Sequence, residues 1–297
     1  MPRGTLVAVA NRYFGGFADV WKHLVVNEVL TDVQPERYVE THAGSAAYPM
    51  VDDAERRYGV LGFLEFLTGA TSSLLSATPF AQLVTEYGHR QPALYPGSAL
   101  QAMTRLADES AYLLCDLDPD SVRDLRSWAQ RLGLTRCEAV ERDGLAAVRD
   151  WLPDQRSAVI HIDPFHPWAH DDGVPSAIEL AAEVADSGHA LVYWYGYDSP
   201  GERAWALPEI RRRTRTGTAL WCGDAMVTAA DGSVHEDGSL GRATTAGTGC
   251  GVVLANVSSA LIHRCEQVAA ALTEVYAGRP LPDGESGQLN WSLSSTR

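Results

Sequence analysis

The sequence reads as an α/β domain built on a parallel sheet, and three observations point there. From residue 98 onward, short apolar runs recur between segments of helical length and periodicity. That alternation is the mark of parallel strands covered by helices. Several of the runs stop at an acid, as in Cys115-Asp116-Leu117-Asp118-Pro119, Asp143-Gly144 and Ile162-Asp163-Pro164. In open parallel sheets the carboxyl ends of the strands are where ligands sit. Composition agrees, with 297 residues of which 45% are hydrophobic and 21% charged, enough chain for one large domain around a buried core.

In order along the chain, residues 19–30 carry Val20, Trp21, Leu24, Val25 and Val29 at helical spacing. A short strand-like run over 37–41 then stops at His42-Ala43-Gly44-Ser45. Helical periodicity around Leu61, Phe63, Leu64, Phe66 and Leu67, and again at Leu74 and Leu75, interrupts the βα pattern. The division that follows is an opening helix and first βα unit over 1–50, a small helical insert over 51–95, and the remainder of the domain over 96–278. Within that remainder, helices are expected from Ser98, over 119–132, 145–151 and 175–185, with strands at 112–115, 137–140, up to Asp163, and 190–195. Strands at 219–222 and 251–254 flank turns at Asp231-Gly232 and Asp237-Gly238, and residues 258–276 form a closing helix. The Pro-, Gly- and Ser-rich tail over 279–297 is expected to be disordered.

Charge and cysteine usage narrow the class. Twenty-four Lys and Arg against 38 Asp and Glu give 24 − 38 = −14, which argues against a partner as anionic as RNA. The basic run Arg211-Arg212-Arg213-Thr214-Arg215 reads as a solvated helix end. Five cysteines without a Cys-x-x-Cys pair read as reduced thiols. No signal-peptide pattern and no membrane-length apolar run is visible, so a cytoplasmic protein without a membrane partner is expected. His161, Asp163, His166, His170, Asp171 and Asp172 cluster in sequence but lack a zinc spacing, and no metal is expected. Nothing resembles a nucleophile elbow or a phosphate loop.

Three loops carry candidate ligands. Glu40-Thr41-His42-Ala43-Gly44 has small residues where a backbone could approach a ligand, or is a plain tight turn. Asp116 could accept two hydrogen bonds from a ribose diol, or Asp116 or Asp118 could cap the next helix. Asp143-Gly144 could hold an adenine amine, or be a turn and cap.

Taken together, the segments Gly15-Gly16-Phe17-Ala18-Asp19-Val20-Trp21-Lys22-His23, Tyr38-Val39-Glu40-Thr41-His42-Ala43-Gly44, Tyr95-Pro96-Gly97-Ser98, Asp116-Leu117-Asp118-Pro119, Asp143-Gly144 and Ile162-Asp163-Pro164 resemble, in order, the J-type ribosomal large-subunit methyltransferases. That family methylates N6 of an adenine in 23S rRNA with S-adenosylmethionine (SAM), leaving S-adenosylhomocysteine. The resemblance runs over about half the chain. It implies a Rossmann-like class I SAM-dependent methyltransferase fold with a helical insert. It also implies a cofactor pocket lined by Lys22, His23, His42, Gly44, Ser98, Asp116, Asp143, Gly144 and Asp163, with Lys22 near the methionine carboxylate or the catalytic acid.

The departures are informative. The family's opening Tyr-x-His element is replaced by Ala8-Val9-Ala10, and its Asp-Pro-Pro-Tyr loop by Asp163-Pro164-Phe165-His166. An enzyme acting on structured RNA has to extrude and stack its base, and that apparatus is altered while the acid remains. The expectation is a repurposed member acting on a small indole-like aromatic or an amine metabolite, as in natural product biosynthesis, with 23S rRNA as the alternative. Asp163 would accept a hydrogen bond from the acceptor N–H. His166, whose imidazole ordinarily titrates near ~6.5, suits a base at neutral pH or a structural turn. Pro164, Phe165, Trp168 and Trp194 would contact the acceptor, flanked by Tyr193, Tyr195 and Tyr197, or pack in the core.

Overall fold

The computed structural model describes residues 14–69, 74–152, 157–164, 167, 176–234 and 245–296. The first helix, α1 (Phe17–Val33), starts behind Gly16 and ends at Gln34, whose left-handed backbone returns its N–H to Leu30. It is buried on every side from Phe17 to Leu30, apart from Asp19, which marks a central helix and not an amphipathic surface one. Polar side chains on such a helix need partners inside the protein. Strand β1 (Arg37–Glu40) follows, then β2 (Ala47–Pro49), α2 (Ala54–Tyr58), α3 (Val60–Gly69), a 3₁₀ turn at Leu75–Ala77, α4 (Pro79–Gly88) and β3 (Leu94–Pro96). Strands β2 and β3 pair antiparallel and tie the helical segment at its base.

The regular alternation then begins with α5 (Ser98–Leu106), β4 (Ala111–Asp116), α6 (Pro119–Arg131), β5 (Cys137–Glu141), α7 (Gly144–Trp151) and β6 (Ala158–Ile162). Local chemistry sets these helix starts. Asp118 caps α6 ahead of Pro119, and Asp143 caps α7 by accepting the Ala146 N–H. Next come α8 (Ala177–Ser187), β7 (Ala190–Tyr197), α9 (Pro200–Arg203), α10 (Ala206–Arg213), β8 (Leu220–Ala229), β9 (Gly249–Ala255), α11 (Ser259–Tyr276), β10 (Arg279–Pro280) and β11 (Ser286–Thr296). A Ser176–Glu179 capping box opens α8, and Gly188 closes it at φ 87°.

The strands form one nine-stranded sheet in the order β10-β11-β8-β9-β7-β6-β1-β4-β5. From β5 to β7 all neighbours are parallel, and β9 runs antiparallel between β7 and β8. This is the Rossmann-like class I methyltransferase arrangement. The strand order reverses at β1, which pairs with β4 on one side and β6 on the other. The carboxyl ends of β1 and β6 therefore frame the switch point, where α/β sheets bind ligands.

Two apolar layers cover the sheet. One holds α1, the helical segment after β2 and α11, and the other holds α8 and α10. Successive residues of a strand face opposite layers. In β6, Val159 joins the α1 layer while Ile160 and Ile162 join the α8 layer, so His161 and Asp163 fall on the α1 side. In β7, Val192 and Trp194 face α1, whereas Tyr193, Tyr195 and Tyr197 face away. The expectation that these three tyrosines flank the same pocket as Trp194 is corrected by that alternation.

The tail is a second correction. Residues 286–296 form an eleven-residue strand paired along all of β8. Its Leu289 is buried, and Trp291 packs edge-on against Trp21 at 4.8 Å between ring centroids. Polar composition suggested disorder, but Leu289 and Trp291 alternate with Asn290 and Ser292, the pattern of a strand with one covered face there. Elsewhere the basic run ends α10, where Arg212 and Arg213 pair with Glu209. All five cysteines are free, and burial pushes the Cys115 and Cys222 thiols up to about 12. No helix among the described residues is long and apolar enough to cross a membrane.

Candidate active site

Lys22 projects from α1 to the end of β6. Its Nζ lies 2.7 Å from Asp163 Oδ2 and 2.8 Å from Asp19 Oδ1. Asp19 Oδ2 in turn accepts the Gly15 N–H at 2.7 Å, which fixes the turn that leads into α1. Burial would lower the Lys22 pKa, but Asp163 and then Asp19 outweigh it and raise it above the ordinary lysine value. For Asp163, burial acts to raise the pKa; Lys22 and then His161 prevail and hold the carboxyl below its usual range. The pair is therefore charged at neutral pH. Asp163 Oδ1 has no hydrogen-bond partner among the described residues, and the side chain keeps 14% of its surface open. The Trp194 ring sits beside this pair, its centroid 5.3 Å from Lys22 Nζ.

The loops after β1, β4 and β5 converge on the same place. Burial lowers the pKa of the His42 imidazole, against the opposing pull of Asp163, Asp116, Asp143 and Glu40, so ends of four neighbouring strands lie within electrostatic reach of one ring. Asp116 accepts the Gly44 N–H at 2.7 Å and the Asp118 N–H at 2.8 Å. Gly44 needs the left-handed region (φ 59°) to present that N–H. Gly144 has a different reason to be glycine: a Cβ there would lie 1.9 Å from the Thr41 carbonyl oxygen. It lets the β5 loop close onto the β1 loop.

Behind Asp163 lies a buried polar network. The β1–β6 register sets Glu40 beside His161, and His161 Nδ1 is 3.0 Å from Glu40 Oε1 and 3.0 Å from the Tyr38 hydroxyl. Tyr38 donates to Glu40 Oε2, and Ser98 donates to Glu40 Oε1. One donor atom each from Glu40, His161 and Asp163 lie within 4.8 Å of one another. That spacing could admit a metal ion, although Lys22 already neutralises Asp163 and the Tyr38 and Ser98 hydroxyls donate to Glu40.

The sequence-derived residues thus fall into groups. Lys22, Asp163 and Trp194 meet at the end of β6, while His42, Gly44 and Asp116 form the wall towards β4. Pro164 is buried beside Asp163. Asp143 and Gly144 serve a cap and a close approach, alongside any ligand role. Ser98 turns to Glu40, and His23 packs against Phe80 and lies 2.6 Å from the Tyr95 hydroxyl through Nδ1. Burial, followed by Lys22, pushes the His23 pKa well below its ordinary value. Phe165, His166 and Trp168 lie outside the described residues. Sequence reasoning passed over Asp19, although its i,i+3 spacing to Lys22 is a readable signal. It placed Tyr38 and Glu40 in the first candidate loop's segment without linking them to His161, which the strand register does.

The residues present fit SAM. Asp116 offers acceptor oxygens at the second strand end, and Asp143 at the third. Lys22 (+1) against Asp19 and Asp163 (−2) leaves a formal −1, the complement of a sulfonium.

No family model matches the chain. It is 30% identical over 162 residues to the ribosomal RNA large subunit methyltransferase J of Escherichia coli (strain K12), a match covering 50% of this chain and 55% of that one. The chain thus spans about half the length of that curated relative. Among solved structures, protein LPL1258 from Legionella pneumophila str. Philadelphia 1 superposes with a TM-score of 0.72 at 20% identity, over 95% of this chain and 98% of the other. That likeness establishes a shared fold over nearly the whole length. The strand order is that of the Rossmann-like class I SAM-dependent methyltransferase fold, and over half its length the chain is similar in sequence to the J-type ribosomal enzyme.

Proposed function

We propose that the chain transfers a methyl group from SAM to a small nitrogen-containing aromatic of indole type, or to an amine metabolite. The observation that carries this reading is Asp163: a charged carboxylate at the switch point, partly open, with one oxygen held by Lys22, whose Nζ lies 5.3 Å from the Trp194 ring centroid. SAM supplies the electrophilic methyl. The chain's task is to align the acceptor and to handle its proton. Asp163 accepts a hydrogen bond from the acceptor N–H, which raises electron density on the attacking nitrogen or on a ring carbon conjugated with it. Lys22 keeps Asp163 charged and aimed, and Asp19 keeps Lys22 in place. Trp194 offers a flat apolar wall and, through its π face, stabilisation for a ring that turns cationic as the methyl arrives. Asp116 is the ribose ligand in this reading, with Gly44 and His42 beside it. The formal charge of −14 and the altered Phe165-His166 ending of the catalytic loop favour a small acceptor, in a cytoplasmic setting.

A second reading, adenine-N6 methylation of 23S rRNA, is favoured by the 30% identity to the ribosomal enzyme. Both acceptors present an N–H to Asp163. Labelled SAM offered with naked 23S rRNA or with indole separates them: the first reading expects label in indole and none in RNA.

A further inference from the structure

The low pKa that Lys22 imposes makes Asp163 a good hydrogen-bond acceptor and a poor place to keep a proton. Methylating either kind of acceptor releases one proton, so a stronger base is needed behind Asp163. The buried network contains one. Glu40 already accepts hydroxyl protons from Ser98 and Tyr38. The remaining neighbour, His161 Nδ1, meets both Glu40 Oε1 and the Tyr38 oxygen at 3.0 Å, which assigns the ring proton to Nδ1. His161 Nε2 is then left with a lone pair, fully buried and without a hydrogen-bond partner among the described residues. A carboxylate behind Nδ1–H and a bare Nε2 is the arrangement that makes an imidazole a general base.

We infer that His161, backed by Glu40, is a positioning residue that holds the reaction proton for Asp163 during methyl transfer. The inference rests on the methyl-transfer reading above, but on neither choice of acceptor. As the acceptor–methyl bond forms, the sulfur–methyl bond breaks with its electron pair left on sulfur. The acceptor proton passes to Asp163 and on across one water to His161 Nε2; a ring nitrogen of His161 and an oxygen of Asp163 lie within 4.8 Å of one another. The imidazolium is balanced by Glu40 until Asp163 returns the proton to solvent. Lys22 (+1) against Asp19, Asp163 and Glu40 (−3) gives a formal −2, so one more positive charge is tolerated. The groups facing the ring are Glu40 and Tyr38 from β1, Asp163 from its own strand and His23 from α1, with Lys22 and His42 around Asp163.

Nitrogen-15 spectra of the histidine-labelled full chain test this, with His161 assigned through its contact to Tyr38. The expected tautomer is Nδ1–H with a bare Nε2; an Nε2–H tautomer overturns the proposal, whatever the acceptor. Turnover is then measured on whichever of indole or naked 23S rRNA the wild type methylates. His161→Gln should keep SAM affinity within about twofold while kcat falls about 100-fold and the acid limb of its pH profile disappears. Glu40→Gln should shift that limb to lower pH, because the imidazolium loses its counter-charge. A folded His161→Gln protein with unchanged kcat and an unchanged limb overturns the inference. If His161→Gln does not fold, the tautomer and the Glu40→Gln limb decide. With a wild type that methylates neither of these two acceptors, the tautomer alone decides the role of His161.

Discussion

At the scale of single residues, the account turns on a buried ion pair whose members are each inadequate alone. Replacing Lys22 by Met leaves Asp163 without its cation, and removing one partner of a buried pair costs about 3–5 kcal/mol. Chemical denaturation at neutral pH measures that loss. The pH dependence has a definite sign. Asp163, with its pKa depressed in the folded state, contributes stability that is present above the ordinary value of 3.8 and lost as pH falls below it. Lys22, raised in the folded state, contributes stability present below 10.5 and lost only above it. The wild-type melting temperature should therefore fall more steeply below about pH 3.8 than that of Lys22→Met. Asp163→Ala should bind SAM within a few-fold of wild type and lose turnover by about 100-fold or more; calorimetry and labelled-methyl assays read the two separately. The residue types at this site were legible because Lys22, Asp116 and Asp163 sit in short motifs. Glu40 and His161 were not, since their meeting depends on a register that no local pattern encodes.

At the scale of elements, helix starts were written in local chemistry. Asp118-Pro119, Asp143 and the Ser176/Glu179 box each satisfy orphan backbone donors within a few residues. The last strand was hidden because Ser, Gln, Asn and Thr dominate it, and its few apolar side chains act through long-range partners, Trp291 against Trp21 and Thr273. Trp291→Ala should cost about 3 kcal/mol, towards the lower end for a large aromatic since the ring is only partly buried. A chain ending at Gly278 should expose the edge of β8 and aggregate, which light scattering would reveal. On the opposite layer, a Cβ at Gly249 would meet the Tyr197 hydroxyl at 2.2 Å and the Ala225 carbonyl oxygen at 2.3 Å. Tyr195 and Tyr197 donate to the buried Asp224, which Arg203 also holds at 2.7 Å. Gly249→Ala should therefore lower stability by about 1–3 kcal/mol through overpacking, leaving SAM affinity unchanged because the cluster faces away from α1. A calorimetric titration that found SAM binding lost along with stability would contradict that separation of layers.

At the scale of the whole molecule, the parallel order from β5 to β7 was legible in the βα alternation, and the reversal at β1 gives the acid-bearing loops a common address. What composition could not supply was the direction each strand residue faces. Trp194 joins Lys22 while its neighbours Tyr193 and Tyr195 go to the other layer, a split that follows from strand geometry and not from residue type. The central claim is that this fold has kept its methyl-transfer centre and serves a small acceptor. The most direct measurement gives the purified chain labelled SAM with indole in one vessel and naked 23S rRNA in the other. Label in indole that vanishes with Asp163→Ala, and none in the RNA, is the predicted result. Label in the RNA alone would contradict it.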